Sequence, residues 1–263
     1  MIQLRTHGRP PFGVAVVHGG PGAGGEMAPV ARELASCQGV LEPIQTATSL
    51  HGQVEELRQV LETRGDPPVT LIGFSWGAWL SFITAARYFL LVRKLILVAS
   101  GPFDEQYVAA LQETRRSRLS QAERAEFEAT LRGLNDPTVA ARNTLLARLG
   151  TLTGKADTYD PIPGEAMPSD LVGPRADIFE SVWGEAARMR RSGELLDLGG
   201  QIRCPVVAIH GDYDPHPAEG VEKPLTSVLG CFRFILLENC GHRPWIERQA
   251  RRAFYRVLEE ELD

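Results

Sequence analysis

At 263 residues the chain is long for one ordinary domain and short for two, and a single α/β domain carrying a large insertion accommodates that length. Hydrophobic residues make up 43%, enough for a sizeable core, which excludes global disorder. Twenty-eight basic against 33 acidic residues leave a net charge of −5, which argues against a nucleic-acid-binding surface.

The N-terminal MIQLRTHGRPPFG lacks the apolar stretch of a signal peptide. Val14–His18 (VAVVH) is a short β-branched run closed by glycines, the pattern of a buried parallel strand. A glycine-rich loop follows at Gly19–Gly25, then a helix over Ala28–Leu34 and a short strand over Gly39–Glu42. Val54, Leu57 and Leu61 recur at helical spacing and predict an amphipathic helix over Gln53–Thr63. Val69–Phe74 reads as a strand, Gly77–Tyr88 as a helix and Val92–Ala99 as a strand. Arg93 and Lys94 interrupt the most apolar run, Tyr88–Ala99, which is also too short to span a bilayer. A soluble, cytoplasmic chain with no membrane partner is therefore expected.

Between Asp104 and about Gly200 the strand rhythm stops. Ser120-Gln-Ala-Glu123 reads as a capping box with Phe127, Leu131 and Leu134 on the helical face behind it. Asp136-Pro137 predicts an N-cap and first-turn proline, Thr151–Arg175 a proline-rich loop, and Ile178–Leu196 a helix. Val206–His210 and Phe232–Leu237 restore the strands, and Ile246, Ala250 and Phe254 line one face of a closing helix. Strands alternating with helices predict a mostly parallel sheet with helices on both faces. The expected division is a core of residues 1–103 and 201–263, with 104–200 inserted as a helical cap.

Gly73-Phe-Ser75-Trp-Gly77 fits G-x-S-x-G, with a strand before it and a helix after it. On so sharp a turn the serine hydroxyl stands above the carboxyl edge of the sheet, at the positive end of the following helix. Serine needs a base, and the base an orienting acid. Of the six histidines, His7, His18, His51, His210 and His216 lack the placement that His242 has in Cys240-Gly-His-Arg-Pro244, directly after the last strand. Asp214 lies far enough into the loop after Val206–His210 to meet it; Asp212 is too near the strand end, and Asp104 is a weaker substitute. For the oxyanion, His18-Gly-Gly-Pro-Gly22 offers the Gly20 N–H, paired with that of Trp76, while His18 reads as a loop anchor.

HGGPG at 18–22, GFSWG at 73–77, GDYDP and CGHRPW, in the order Ser75, Asp214, His242, resemble the α/β-hydrolase superfamily and most closely its proline iminopeptidase group. The resemblance covers residues 12–102 and 202–260. It implies the α/β-hydrolase fold and a serine hydrolase acting on an ester or amide of a small molecule or short peptide, without a cofactor. Two departures stand out. The antiparallel strand pair that usually precedes the first motif is missing or reduced to Ile2–Arg5, and Pro43–Ser49 replaces the group's charged D-Q-R-G-x-G-x-S loop. An iminopeptidase holds a free amine with acidic cap residues, yet Glu165, Asp170, Asp177, Glu180 and Glu185 match no motif position and read as surface charge.

Other readings compete. Gly20, Gly22 and Gly25 spell G-x-G-x-x-G with Glu42 at ribose distance, as in a dinucleotide-binding oxidoreductase, but Pro21 removes an N–H from the cradle. Glu26-Met27 stands where a P-loop requires Lys-Ser/Thr. His210-x-Asp212-x-Asp214-x-His216 suggests metal ligands, but Pro215 and Pro217 break the strand that would align them, and no metal is expected. Cys37, Cys204, Cys231 and Cys240 are widely spaced with no C-x-x-C, so neither a disulfide framework nor a zinc knuckle is expected; Cys240 reads as a small buried hydrophobe. Trp79, Phe82 and Ile83 form a core stripe, and Trp183 is a candidate pocket wall. A non-catalytic ligand-binding role is the remaining alternative.

Overall fold

The computed structural model describes residues 3–136, 138–165 and 170–262. Seven strands form one sheet: β1 (Gln3–His7), β2 (Val14–Val17), β3 (Val40–Ile44), β4 (Val69–Phe74), β5 (Val92–Val98), β6 (Val206–Gly211) and β7 (Phe232–Leu237). Their spatial order is β1-β3-β2-β4-β5-β6-β7, with β1 antiparallel to β3 and all other pairs parallel. Every residue of β2, β3, β4 and β6 is buried, which is why these strands read as continuous apolar runs rather than alternations. The N-terminal antiparallel strand is therefore present and longer than Ile2–Arg5 suggests. A ladder with β3 from Gln3 to His7, the packing of Leu4 on the core, and His7 and Arg5 reaching across to Glu42 hold it, with no apolar run to mark it in the sequence.

The helices α1 (Ala28–Leu34), α2 (Leu50–Arg64) and α3 (Trp76–Arg87) follow β2, β3 and β4. Between β5 and β6 lie α4 (Val108–Arg118), α5 (Gln121–Asn135), α6 (Arg142–Ala156), α7 (Ala176–Ser192) and the short α8 (Glu194–Asp197). Then come α9 (Glu219–Val228) and α10 (Arg251–Leu262). Alternate strand residues feed opposite faces. Val14, Val16, Ile72, Phe74, Ile96 and Val98 pack with Met27 at the N-cap of α1, Val30 of α1 and Phe254 of α10. Ala15, Val17, Leu71, Leu95 and Leu97 pack with Leu57 of α2, Leu80 and Ile83 of α3, and Leu225 of α9. Each such large aliphatic or aromatic side chain contributes roughly 1.5–3 kcal/mol by leaving water.

Among the described residues the segment between β5 and β6 contains no strand. Ser120 and Glu123 form the expected capping box at the start of α5. Leu119, Phe127, Leu134, Leu146, Leu149 and Leu152 make a small core of their own, whereas Ile178, Val182 and Ala186 of α7 join the main core beside α2 and α3.

Several boundaries differ from the sequence reading, each for a local reason. Asp136 closes α5 instead of opening a helix: its carboxylate accepts from the Thr138 N–H and hydroxyl, a turn that competes with helix initiation. Pro137 and Pro168 lie outside the described residues. Helix α6 runs on to Ala156, into the expected loop, because Leu146, Leu149 and Leu152 keep one face buried. The helix expected over Ile178–Leu196 divides at Gly193, which adopts φ 86°. Ile246 lies in a 3-10 turn, Pro244–Ile246, and Ala250 precedes α10; both are buried, so their spacing reflects core contact rather than one continuous helix.

This topology positions the site. The chain leaves β2 toward β3 on one side and later returns as β4 on the other, so the loops after β2 and β4 diverge and open a crevice at their carboxyl ends.

Candidate active site

Ser75 occupies the turn from β4 into α3 at φ 52°, ψ −114°, a region that L-residues seldom adopt and that costs on the order of 1–3 kcal/mol. The surroundings enforce it. Its N–H donates to the Val98 carbonyl at 2.9 Å, and its own carbonyl accepts from the Ala78 N–H at 3.1 Å. A Cβ on Gly73 would run into the Gly77 carbonyl, and one on Gly77 into the carbonyls of Val17 and His18. The two glycines of the motif are thus required by close backbone approach.

His242 lies on the loop after β7, and its Nε2 is 3.0 Å from Ser75 Oγ. Its Nδ1 is 2.7 Å from Asp214 Oδ2. Asp214 is fully shielded: burial opposes its charge, but His242, His216 and His210 together hold its carboxyl well below the usual range. Burial works against protonation of His242 as well, yet the ionised Asp214 outweighs it and raises the imidazole pKa above its ordinary value. A hydroxyl, an imidazole and an ionised carboxylate are therefore aligned at hydrogen-bonding distance, with the carboxylate raising the proton affinity of the imidazole that faces the hydroxyl.

Gly20 has φ 42°, and Trp76 is the first residue of α3, where backbone N–H groups have no intrahelical acceptor. His18 is the anchor of this loop. Its buried ring contacts the Gly19 carbonyl through Nδ1 at 2.7 Å, and its Nε2 accepts from the Gln45 N–H at 3.3 Å; burial keeps its pKa low.

The sequence profile of the alpha/beta hydrolase family matches residues 2–256. The chain belongs to the alpha/beta hydrolase family. No curated protein sequence matches it. Among solved structures it is similar to VinJ, with a TM-score of 0.72 and 18% identity over 98% of this chain and 93% of that one. It is also similar to the proline iminopeptidase of Mycobacterium smegmatis, with a TM-score of 0.61 and 17% identity over 98% and 93%. The enol-lactonase of Burkholderia xenovorans gives a TM-score of 0.62 and 17% identity over 99% and 96%. At such identities these likenesses show the fold.

In this alpha/beta hydrolase the segment between β5 and β6 reaches both halves of the site. Residues 170–175 lie along the glycine loop: Val172 N–H donates to Gly24 O and Arg175 N–H to Gly22 O, each at 2.8 Å. Residues 157–162 are stitched to the histidine loop. The His242 N–H donates to Asp157 O at 2.8 Å, and the fully buried Glu247 carboxylate accepts from the N–H groups of Gly241, Tyr159 and Asp160 at 2.8–3.1 Å. Arg115 of α4 holds the Asp157 carboxylate with two hydrogen bonds. Sequence reasoning passed over Asp157, Arg115 and Glu247, because nothing local marks a residue whose partners lie dozens of positions away.

The rival assignments resolve residue by residue. Glu42 is fully buried and paired with His7 and Arg5, so it does not face a ribose. Asp212 is exposed and accepts from Cys240 N–H, and Asp104 caps a 3-10 turn. Cys240 is fully buried, its thiol pKa pushed far up by burial, while His51 is exposed on α2. Asp214, His216 and His242 bring donor atoms within 4.8 Å of one another, but those facing atoms are engaged in the short hydrogen bonds of the site. Each of the five acidic residues of the insert has a partner: Glu165 with Arg251, Asp170 with Arg32, Asp177 with Arg175, Glu180 with Arg142, and Glu185 with the Leu50 N–H. Trp183 stacks between Trp79 at 5.5 Å and Phe179 at 6.3 Å. Sequence reasoning also overlooked Glu26 as a site residue. Its carboxylate faces Gly19, and burial raises its pKa against the pull of Arg243 and His242. Among the described residues no helix is long and apolar enough to cross a membrane.

Proposed function

We propose that this alpha/beta hydrolase is a serine hydrolase that cleaves an ester or amide bond of a small-molecule or short-peptide substrate through an acyl-enzyme. The observation that carries the reading is the unbroken relay from Ser75 Oγ to His242 Nε2 and from His242 Nδ1 to Asp214. Ser75 Oγ attacks the acyl carbon as its proton passes to His242 Nε2, and the carbonyl π pair moves onto oxygen. The Gly20 and Trp76 N–H groups receive that oxyanion; loss of one such donor costs roughly 100- to 1000-fold in rate. As the tetrahedral centre collapses, His242 returns the proton to the leaving oxygen or nitrogen. Water, deprotonated by the same imidazole, then repeats the sequence and releases the acid. Asp214 stays ionised throughout and fixes the imidazole tautomer.

Residues 1–103 and 201–263 constitute the catalytic core in this reading, and 104–200 act as the cap that shapes the pocket. The contacts of 157–162 with the histidine loop and of 170–175 with the glycine loop support that role. The test compares a short-chain p-nitrophenyl ester with prolyl-p-nitroanilide, alongside fluorophosphonate labelling, in wild type and Ser75→Ala. Turnover of either substrate and labelling, both abolished in the variant, are expected. Ester turnover alone assigns a carboxylester substrate, and efficient amide release assigns the peptidase branch. Labelling that persists in Ser75→Ala refutes Ser75 as the nucleophile, and its absence from wild type refutes the serine mechanism and favours a binding role.

A further inference from the structure

One buried imidazole has no part in the relay just described. His216 follows Asp214 by two residues, and its side chain is only 7% exposed. Its Nδ1 lies 2.7 Å from Asp214 Oδ1, and its backbone N–H donates to the same oxygen at 2.9 Å. Asp214 Oδ2 is left for His242 at 2.7 Å. The rings of His216 and His242 stack with centroids 4.5 Å apart and planes 24° apart. Two histidines thus share one carboxylate, one oxygen each. His210 locks the arrangement from below by hydrogen-bonding through Nε2 to the His216 carbonyl at 2.8 Å.

We propose, building on the serine-hydrolase reading, that His216 is a positioning residue for the reaction, one that fixes the Asp214 carboxylate and moderates the basicity of His242. A carboxylate that accepts twice on Oδ1 cannot rotate about its Cβ–Cγ bond, so Oδ2 stays aimed at His242. The Nδ1–H of a neutral His216 also draws charge density from Asp214, which weakens its hold on the His242 proton and favours release of that proton to the leaving group. Stacked rings so close cannot both be cationic, and burial together with the nearby His242 keeps His216 neutral, its pKa pushed down to about 4 against the pull of Asp214. Other charged groups also face the pair. They are Arg115 and Asp157 from the insert, Glu26 from the glycine loop, and Arg243 and Glu247 from the histidine loop. None of these groups hydrogen-bonds Asp214, and His210 of β6, which also faces the acid, keeps its Nε2 3.7 Å from Oδ2, so among the described residues His216 is the one side chain besides His242 that hydrogen-bonds it.

The test follows the rate of fluorophosphonate labelling of Ser75 against pH in wild type, His216→Phe and His216→Asn. Phenylalanine keeps the stacked ring and removes the donor; asparagine keeps a donor near the Nδ1 position and removes the ring. In His216→Phe the labelling rate at neutral pH is expected to drop about tenfold and the acid midpoint to rise by about one unit, the scale of one charge-assisted hydrogen bond. His216→Asn is expected to stay close to wild type on both measures. Identical profiles in all three proteins overturn the proposal, as do equal losses in both variants with an unmoved midpoint, which mark a merely structural role. Wild type that fails to label defeats the serine-hydrolase reading itself, and this one with it. Histidine-labelled NMR of the wild type supplies an arm that needs no variant. Three exchange-protected imidazole Nδ1–H signals are expected, one from His18 on the Gly19 carbonyl and two from the pair on Asp214; of that pair only His242 is expected to shift as pH rises above 6.5, and absence of the His216 signal overturns the proposal.

Discussion

Replacing Gly77 with alanine tests whether the elbow geometry is as constrained as the backbone implies. The added Cβ would run into the carbonyl oxygens of Val17 and His18. Those atoms belong to the end of a fully buried strand and to the loop that carries Gly20, so unlike a side-chain tip they cannot swing aside. In an open helix the change would gain about 1 kcal/mol of propensity. Overpacking here costs about 1–3 kcal/mol, and an immovable backbone places it at the upper end. The net expected loss is therefore about 2 kcal/mol, or roughly 4–8 °C in melting temperature for a chain of this size. Relief of the clash pushes the β2 end away from Ser75, so kcat should also fall, by about 100-fold if one oxyanion donor is displaced. Urea unfolding and ester turnover, measured on the same preparation, read both effects. A midpoint and rate matching wild type would refute the claim that close approach, and not chance, puts glycine at this position.

Gly150→Ala provides the contrast: it lies on the exposed face of α6 with no atom near its missing Cβ, and stability should rise by about 1 kcal/mol by urea titration with activity unchanged. Glu247→Gln replaces one acceptor oxygen with a donor that faces backbone N–H groups; a loss of about 1–3 kcal/mol is expected, with faster hydrogen exchange at Gly241, Tyr159 and Asp160. The pH dependence of stability has a defined sign. His216 has its pKa lowered by burial from 6.5 to about 4, so between those values the unfolded chain binds the proton first, and stability falls as pH drops through that window. His242, raised by Asp214, acts oppositely: its contribution is complete below pH 6.5 and is lost as pH rises through its folded pKa. Melting temperatures from pH 4 to 8 check this, and a smaller slope between 4 and 6.5 in His216→Phe is expected.

How much of this was legible in the chain depends on how local each signal is. Val14–His18 and Val69–Phe74 are legible as strands because a strand buried on both faces must be apolar throughout, the first closing one residue earlier, at Val17. Phe232–Leu237 is the less buried edge, and its aromatic and aliphatic run marks it instead. Ser75, Asp214 and His242 are legible because a serine on a strand-to-helix turn, an acid deep in a loop and a histidine after the last strand need only chain order to be nominated. Helix ends in the insert are misread because capping competes over one or two residues: the Asp136 side chain serves Thr138 rather than a new helix.

By itself the sequence determined the alternation of strands and helices, the strained serine turn and the order of the three polar residues, since each depends on neighbours a few positions away. Only the tertiary structure decided that Glu247 ties residues 159–160 to the histidine loop, that Glu42 faces β1 instead of a ligand, and that His216 shares Asp214 with His242. A buried carboxylate must find donors, but which donors reach it is set by how the sheet, the insert and the loops close on one another. No local pattern encodes that distance.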